Sequence, residues 1–265
     1  MCCCCYTPKK NTSKLGDTFL SLSAIKTGGS THQKLKGINL SVQGGEILGI
    51  AGVSGNGQKE LADVIAGVLS HTEGTFEVKG EIISKASPRL MQKLKIGRIP
   101  EDRMTTGLVT SLPLYVSMVL PWIRRSIFSR FGILRKNEIL SFTSKMIKRF
   151  TIQATDPEVK TGTLSGGNLQ KVLLARELAF EPEVLLASQP TRGLDVAAAE
   201  FVHRQFLSLR EKGAAIILIS EDLEELFALS DRIVVMYEGR IAGETKINDA
   251  SVEGIGLLMA GATLG

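Results

Sequence analysis

The nonapeptide GVSGNGQKE, Gly52 to Glu60, stands between the apolar run EILGIA, Glu46 to Ala51, and a stretch in which Leu61, Val64, Ile65 and Val68 recur at helical spacing. Strand, glycine loop and helix in that order form an α/β unit that turns free backbone N–H groups and the positive end of a helix toward phosphate. One residue departs from the phosphate-loop template G-x-x-x-x-G-K-[ST]: Gln58 stands where lysine is required, and Lys59 comes one place late. One step along a helix turns a side chain by about 100°, so Lys59 is expected to point away from the phosphates.

The rest of the chain extends this unit. INLSV, Ile38 to Val42, a Gly44-Gly45 turn and EILGIA read as a hairpin feeding the loop. VLLAS, Val184 to Ser188, and AIILIS, Ala215 to Ser220, are short apolar runs after helical patterns, as expected of buried parallel strands. IVVMYEGRIAGE, Ile233 to Glu244, reads as two strands around a Glu-Gly turn. From Met91 to Thr163 the pattern is mainly helical, which predicts an inserted helical subdomain. With 265 residues, 43% of them hydrophobic, the chain is long enough for a full core.

Charge and cysteine usage narrow the function. All four cysteines are consecutive, Cys2 to Cys5, which excludes a disulfide framework and a spaced zinc site; the run reads as an adventitious or disordered start, since no apolar leader accompanies it. The net charge of +5 is unevenly placed, with eight basic residues against the single acid Glu138 between Pro121 and Phe150. A solvated helical face is one account; with no nucleic-acid motif, a face near an anionic membrane is the other. From Met104 to Ile123 no residue is charged, but Gly107, Pro113 and Pro121 argue against a span and for a buried loop and helix at a protein interface. His32, His71 and His203 have no metal-ligand spacing.

A second signal is TLSGGNLQKVLLAREL, Thr163 to Leu178, where a Ser-Gly-Gly turn opens a helix and forms either an anion site or an ordinary cap. SQPTRGLD, Ser188 to Asp195, and SED, Ser220 to Asp222, follow at the ends of the two apolar runs. In this order the motifs resemble those of the ATP-binding-cassette ATPases over about residues 18 to 245. GEILGIAGVSGNGQ, IPEDR (Ile99 to Arg103), LSGGNLQKVLLAREL and QPTRGLD are similar to the second, C-terminal ATPase domain of tandem-cassette importers for sugars and nucleosides, with wording nearer the nucleoside branch.

That resemblance implies an α/β fold: a P-loop NTPase core of mixed sheet flanked by helices, an antiparallel β subdomain and an inserted helical subdomain. The expected organisation is a tail or linker remnant at 1–17, a nucleotide-binding domain at 18–250 (core 18–90 and 164–250, helical subdomain 91–163) and a C-terminal tail at 251–265. It further implies a nucleotide loop of Gly52, Val53, Ser54, Gly55, Asn56, Gly57, Gln58, Lys59 and Glu60. Ser188 and Gln189 take the metal-carboxylate and catalytic-glutamate positions, Glu221 the switch-histidine position, and Glu101 the Q-loop position. Leu164, Ser165, Gly166, Gly167 and Asn168, with Asp195 of the D-loop, serve a partner's site. ATP and Mg2+ are the implied ligands, the ion near Lys59, Glu101 and Ser188.

Here the sequence departs from the family. The lysine, magnesium hydroxyl, aspartate, glutamate and histidine that the resemblance leads one to expect are Gln58, Lys59, Ser188, Gln189 and Glu221, whereas Gly52, Gly55, Gly57 and the LSGGN turn stand. Losing a charged hydrogen bond to phosphate costs about 1.5–3 kcal/mol, so weak nucleotide binding is expected. Gln189 can orient water but cannot take its proton, so own-site hydrolysis is expected to be slow or absent. The expected four-residue set and its replacements, Lys59 aside, both carry a formal charge of −1, which points to coordinated change rather than decay. Between Lys26 and Ile38 no aromatic side chain offers a stacking face for adenine.

The expected partners are a second, competent nucleotide-binding domain, transmembrane permease subunits and, indirectly, a substrate-binding protein, with no nucleic acid. The expected location is the cytoplasmic face of a bacterial inner membrane. The chain begins about where an interdomain linker would stand, which suits a piece of a tandem protein or a cassette paired with a separately encoded one. Two alternatives stay open: a non-hydrolysing regulatory or scaffold subunit, and a soluble cassette ATPase outside transport.

Overall fold

The computed structural model describes residues 15–28 and 34–262; Cys2 to Cys5 and His32 lie outside them. In chain order the elements are β1 (Thr18–Lys26), β2 (Lys36–Gln43), β3 (Ile47–Ala51), α1 (Gln58–Ile65), β4 (Glu73–Val78), β5 (Glu81–Ile82), α2 (Pro88–Lys93) and β6 (Ile96–Ile99). Then come α3 (Leu114–Val119), β7 (Ser129–Arg130), β8 (Ile133–Leu134), α4 (Lys136–Arg149) and α5 (Gly166–Leu178). The chain ends with β9 (Val184–Ser188), α6 (Val196–Glu211), β10 (Ala215–Ile219), α7 (Leu223–Leu229), β11 (Arg232–Tyr237), β12 (Arg240–Lys246) and α8 (Val252–Met259). These residues form two compact units, one from 15–28, 34–98, 182–189 and 203–262, the other from 99–181 and 190–202.

The first unit holds two sheets. A six-stranded sheet runs β12-β11-β3-β10-β9-β6. Its central strands ILGIA, VLLAS and AIILI are buried at every residue and pair in parallel, as continuous apolar runs covered on both faces should. A four-stranded antiparallel sheet runs β2-β1-β4-β5. Leu22, Ile38, Val64, Phe76, Ile217 and Val234 belong to a single apolar core.

Two expectations change here. β2 and β3 form no hairpin: they join different sheets. The Gly44-Gly45 turn bonds elsewhere, Gly44 N–H to the Asp17 carbonyl and Gly45 N–H to the Gly213 carbonyl, and so diverts the chain between layers. The segment expected as a C-terminal tail contains α8, capped by the Ser251 hydroxyl on the Gly254 N–H at 3.0 Å, with Ile255 and Leu258 buried. Gly243 lets it close on β12, since a Cβ there would lie 2.8 Å from Leu258.

The second unit begins at Ile99 rather than Met91, because Met91 on α2 packs into the core of the first. It holds α3, the short β7–β8 hairpin, α4 and α5, and an aromatic cluster in which Trp122 and Phe128 meet Phe180 at 4.4 and 6.1 Å. The uncharged Met104–Ile123 segment is a π-helical turn, α3 and a 3-10 turn; Leu114, Met118 and Val119 are buried while Met104 and Val109 are exposed. Among the described residues no helix is long and apolar enough to cross a membrane.

Candidate functional site

In the first unit, the loop after β3 turns on Gly55 and Gly57, at φ 93 and 100. Gly57 takes the N-cap of α1, and no side chain caps the first turn, so its amides keep their outward reach. Gln58 is buried and its amide nitrogen folds back on the loop, 2.7 Å from where a Cβ on Gly52 would stand. Lys59, next along the helix, is exposed. Val53, Ser54 and Gly55 form the exposed rim of the loop and Glu60 is half-buried on α1. Asn56 is held from outside: its side-chain oxygen accepts from the Glu238 N–H and its carbonyl from the Gly239 N–H, both at 3.0 Å. The β11–β12 turn, with Glu238 and Gly239 at φ 46 and 76, thereby braces the loop.

Ser188 ends β9, buried, and Gln189 follows at φ 47, a left-handed conformation uncommon outside glycine and asparagine. The Gln189 N–H donates to the Ile219 carbonyl at 2.8 Å, and its side-chain oxygen accepts from the Glu221 N–H at 3.4 Å. Two of the departing positions are thus joined by a hydrogen bond. The Glu221 carboxylate itself is on the exposed side, and Asp222 caps α7 through the N–H groups of Glu224 and Glu225.

In the second unit, Ser165 is the N-cap of α5, its hydroxyl accepting from the Asn168 backbone N–H at 3.4 Å and side-chain amide at 2.9 Å. The Asn168 oxygen accepts from the Gln153 N–H, so the turn is rigid on both sides. Leu164 leads into it half-buried, and Ser165 and Gly166 are exposed; a Cβ on Gly166 would meet nothing within 4 Å. Asp195 accepts from the Ala198 N–H at 2.9 Å and starts α6. A Cβ on Gly167 would lie 3.5 Å from Ala198, placing the α6 start beside the signature turn.

Glu101 pairs with Arg192, not with Arg98 or Arg103. Arg98 is taken by Asp63 at 2.5 Å, and Arg103 donates to the Arg192 carbonyl at 2.7 Å. Burial lowers the pKa of Arg103, against the opposing pull of Asp102. Asp102 is held below the ordinary carboxylate range by the Thr105 hydroxyl, then by the backbone N–H groups of Thr105 and Met104. The IPEDR and PTRGLD loops are therefore one linked element.

Magnesium takes oxygen ligands in tight octahedral geometry. Lys59 brings a cation to that position, Ser188 a neutral hydroxyl, and the Glu101 carboxylate is engaged by Arg192. Among the described residues no group of three or more His, Cys, Asp or Glu could hold a metal ion. Lys59 and Ser188 thus bring no carboxylate to that position.

Sequence reasoning missed two residues, Arg192 and Arg176, and the bracing role of a turn it had placed. Arg192 and the Glu238-Gly239 turn act across separations of 91 and 182 residues, which no local pattern carries. Arg176 fixes α5 by donating to the Gly107 carbonyl at 2.7 Å and to Glu177 at 2.9 Å; the AREL wording alone pointed to it. His203 bonds Glu225 at 3.1 Å, a structural pairing.

A family model described as "ABC transporter" matches residues 35–192. The guanosine import ATP-binding protein NupO of Bacillus subtilis (strain 168) is 37% identical over 259 residues, covering 97% of this chain and 51% of its own. The nucleoside import ATP-binding protein NupA of Lactococcus lactis subsp. cremoris (strain MG1363) is 36% identical over 231 residues, covering 87% and 46%. The chain therefore spans about half the length of these relatives. The dimeric post-hydrolysis state of the ATP-binding cassette MJ0796 bound to ADP and Pi superposes with a TM-score of 0.73 over 86% of this chain and 98% of its own, at 24% identity. At that identity the likeness speaks for the fold, in agreement with the mixed sheet and flanking helices.

Proposed function

This chain belongs to the ABC transporter family, and from that premise we propose that it is the catalytically weak nucleotide-binding half of an importer, completing a partner's ATP site more than turning over its own. One observation carries the reading: an intact LSGGN turn coexists with replacement of the hydrolytic set at Gln58, Ser188, Gln189 and Glu221. The nucleoside class is taken from relatives named for guanosine and nucleoside import, with simple sugars as the other class the resemblance allows.

At its own loop the backbone amides around Gly55 and Gly57 cradle phosphate, and the Gln58 amide gives a neutral hydrogen bond in place of a charged one. Affinity falls by about ten- to a hundredfold for that exchange. Gln189 orients water but takes no proton, so hydrolysis at this loop is slow. The Ser165 hydroxyl, the amides after Gly166 and the positive end of α5 stabilise the γ-phosphate bound by the partner domain. Closure of the paired domains on ATP, and their reopening, drives permease subunits that the chain contacts at the cytoplasmic face of a bacterial inner membrane, with the Met104–Ile123 segment as the docking surface.

Ser165→Arg tests this. A guanidinium on the exposed turn blocks the partner's γ-phosphate without touching the buried side of α5, so ATP turnover of the reconstituted pair should fall at least a hundredfold, the scale of losing a preorganised transition-state donor. Unchanged turnover in a pair that still assembles overturns the role in trans.

A further inference from the structure

The β7–β8 hairpin carries a surface that neither the nucleotide loop nor the signature turn uses. Its base is anchored: Phe128 is fully buried and meets Phe142 edge-on at 5.0 Å, and the Arg135 N–H closes the hairpin on the Phe128 carbonyl at 2.9 Å. Its tip turns outward. Phe131 is 91% exposed and Ile133 74%, with Ile127 and Leu134 about half exposed, so four large apolar side chains meet solvent within eight residues. Single exposed apolar residues are ordinary on a protein surface; a cluster this dense on one short projection is not.

The turn makes the choice of residue costlier still. Phe131 and Gly132 occupy its two central positions at φ 50 and 81, where asparagine or glycine is the unstrained choice and a bulky ring is an outlier. The chain thus places an aromatic ring, at a cost in backbone strain, where it touches no core. Charge completes the pattern. From Arg103 through Asn137 the sequence has six cations and no acid. The Arg130 guanidinium lies over the Phe131 ring at 5.3 Å, and no ion pair engages Arg124 or Arg130 among the described residues. An exposed apolar tip with a guanidinium against it and a further exposed arginine a few residues back in the sequence is the chemistry of an interfacial anchor: rings and aliphatic chains enter the acyl boundary while cations stay at the anionic headgroups.

We propose that the β7–β8 hairpin, through Phe131 and Ile133 with Arg124 and Arg130, docks directly on an anionic lipid surface. A protein surface would also take the apolar tip, but although Arg135 pairs with Glu138 and Lys136 with Glu158, the exposed Arg124 and Arg130 have no acid between them and the tip in sequence, which favours a negative partner. The contact needs no ATP and no second cassette, so it stands or falls apart from the transport reading.

Flotation of the full chain, under reducing conditions, with vesicles of phosphatidylcholine alone or mixed with phosphatidylglycerol tests it. Binding should appear only with the anionic lipid and weaken as salt rises. The pair Phe131→Asn with Ile133→Thr keeps the turn and strand preferences, so its thermal midpoint should match or exceed the parent's while its vesicle affinity falls at least tenfold. The pair Arg124→Gln with Arg130→Gln should lower affinity about thirtyfold and flatten the salt dependence. Three results overturn the proposal: no binding to anionic vesicles at low salt, equal binding by the Phe131/Ile133 variant, or hairpin-dependent binding only when vesicles carry a permease, which would give the tip to a protein partner.

Discussion

Gln189 shows how closely the replaced residues depend on one another. Its left-handed backbone aims the side chain back at the next strand's exit, where the side-chain oxygen accepts from the Glu221 N–H. A carboxylate at position 189 would accept the same bond, but with Glu221 retained the switch position would still lack the histidine that the resemblance leads one to expect. Exchanging Glu221 for histidine supplies it, and Gln58, folded against Gly52, occupies a place a lysine could take with its charge toward the loop. The reversions should therefore be strongly non-additive. Gln189→Glu alone leaves phosphate release in the paired assembly near the parent level, whereas Gln58→Lys, Ser188→Asp, Gln189→Glu and Glu221→His together raise it at least a hundredfold, the usual worth of a positioned base. A folded, paired quadruple variant as slow as the parent overturns the idea of a coordinated set.

At the scale of elements, the β11–β12 turn shows that similar local conformations need not be equally essential. Gly239 and Gly132 both follow a non-glycine residue at positive φ in a hairpin turn. A Cβ on Gly239 would fall 1.7 Å from the Lys34 carbonyl oxygen, whereas one on Gly132 would meet nothing within 4 Å. Gly132→Ala should cost only the backbone strain, about 1 kcal/mol; Gly239→Ala adds a backbone collision beside the Asn56 contacts and should cost at least about 3 kcal/mol. Urea midpoints of the two variants measure the difference. The contrast also marks how far sequence reaches. The Glu238-Gly239 turn was legible because strand, turn and strand are local, and so were the buried runs VLLAS and AIILIS, whose lack of polar alternation fits strands covered on both faces. The β2–β3 connection was misread for the same reason: two apolar runs across Gly44-Gly45 look like a hairpin, and only pairing with distant β1 and β10 sends them into separate sheets. Glu101 was placed on the right loop, but its partner Arg192 comes from a segment no periodicity links to it.

Across the whole molecule, charge pairs of different burial join distant segments of the first unit, and burial decides which of them matters. Arg210 on α6 is 3% exposed and bonds both oxygens of Asp231, at 2.9 and 2.7 Å; one of these also accepts from the Ile47 N–H that opens β3. Asp231→Asn would take the charge from one partner of this buried pair, a loss of about 3 kcal/mol. For a chain of this size that lowers the thermal midpoint by roughly 6–12 °C at pH 7. Glu183 is the opposite case, an acid before β9 paired with Lys79 and Lys95, both about half exposed. Its pKa is lowered, first by the hydrogen bond from Lys79 and further by Lys95, while burial pulls the other way. A depressed carboxylate pKa stabilises the fold above the unfolded value of about 4.3 and loses that effect as pH falls through the folded value. Glu183→Gln should therefore lower the midpoint by only about 1–3 °C at pH 7, for a pair worth no more than about 1 kcal/mol in solvent. Melting curves from pH 7 down to pH 3 should show that gap closing. A Glu183→Gln deficit that persists unchanged at pH 3 would mean that the side chain acts through packing rather than charge.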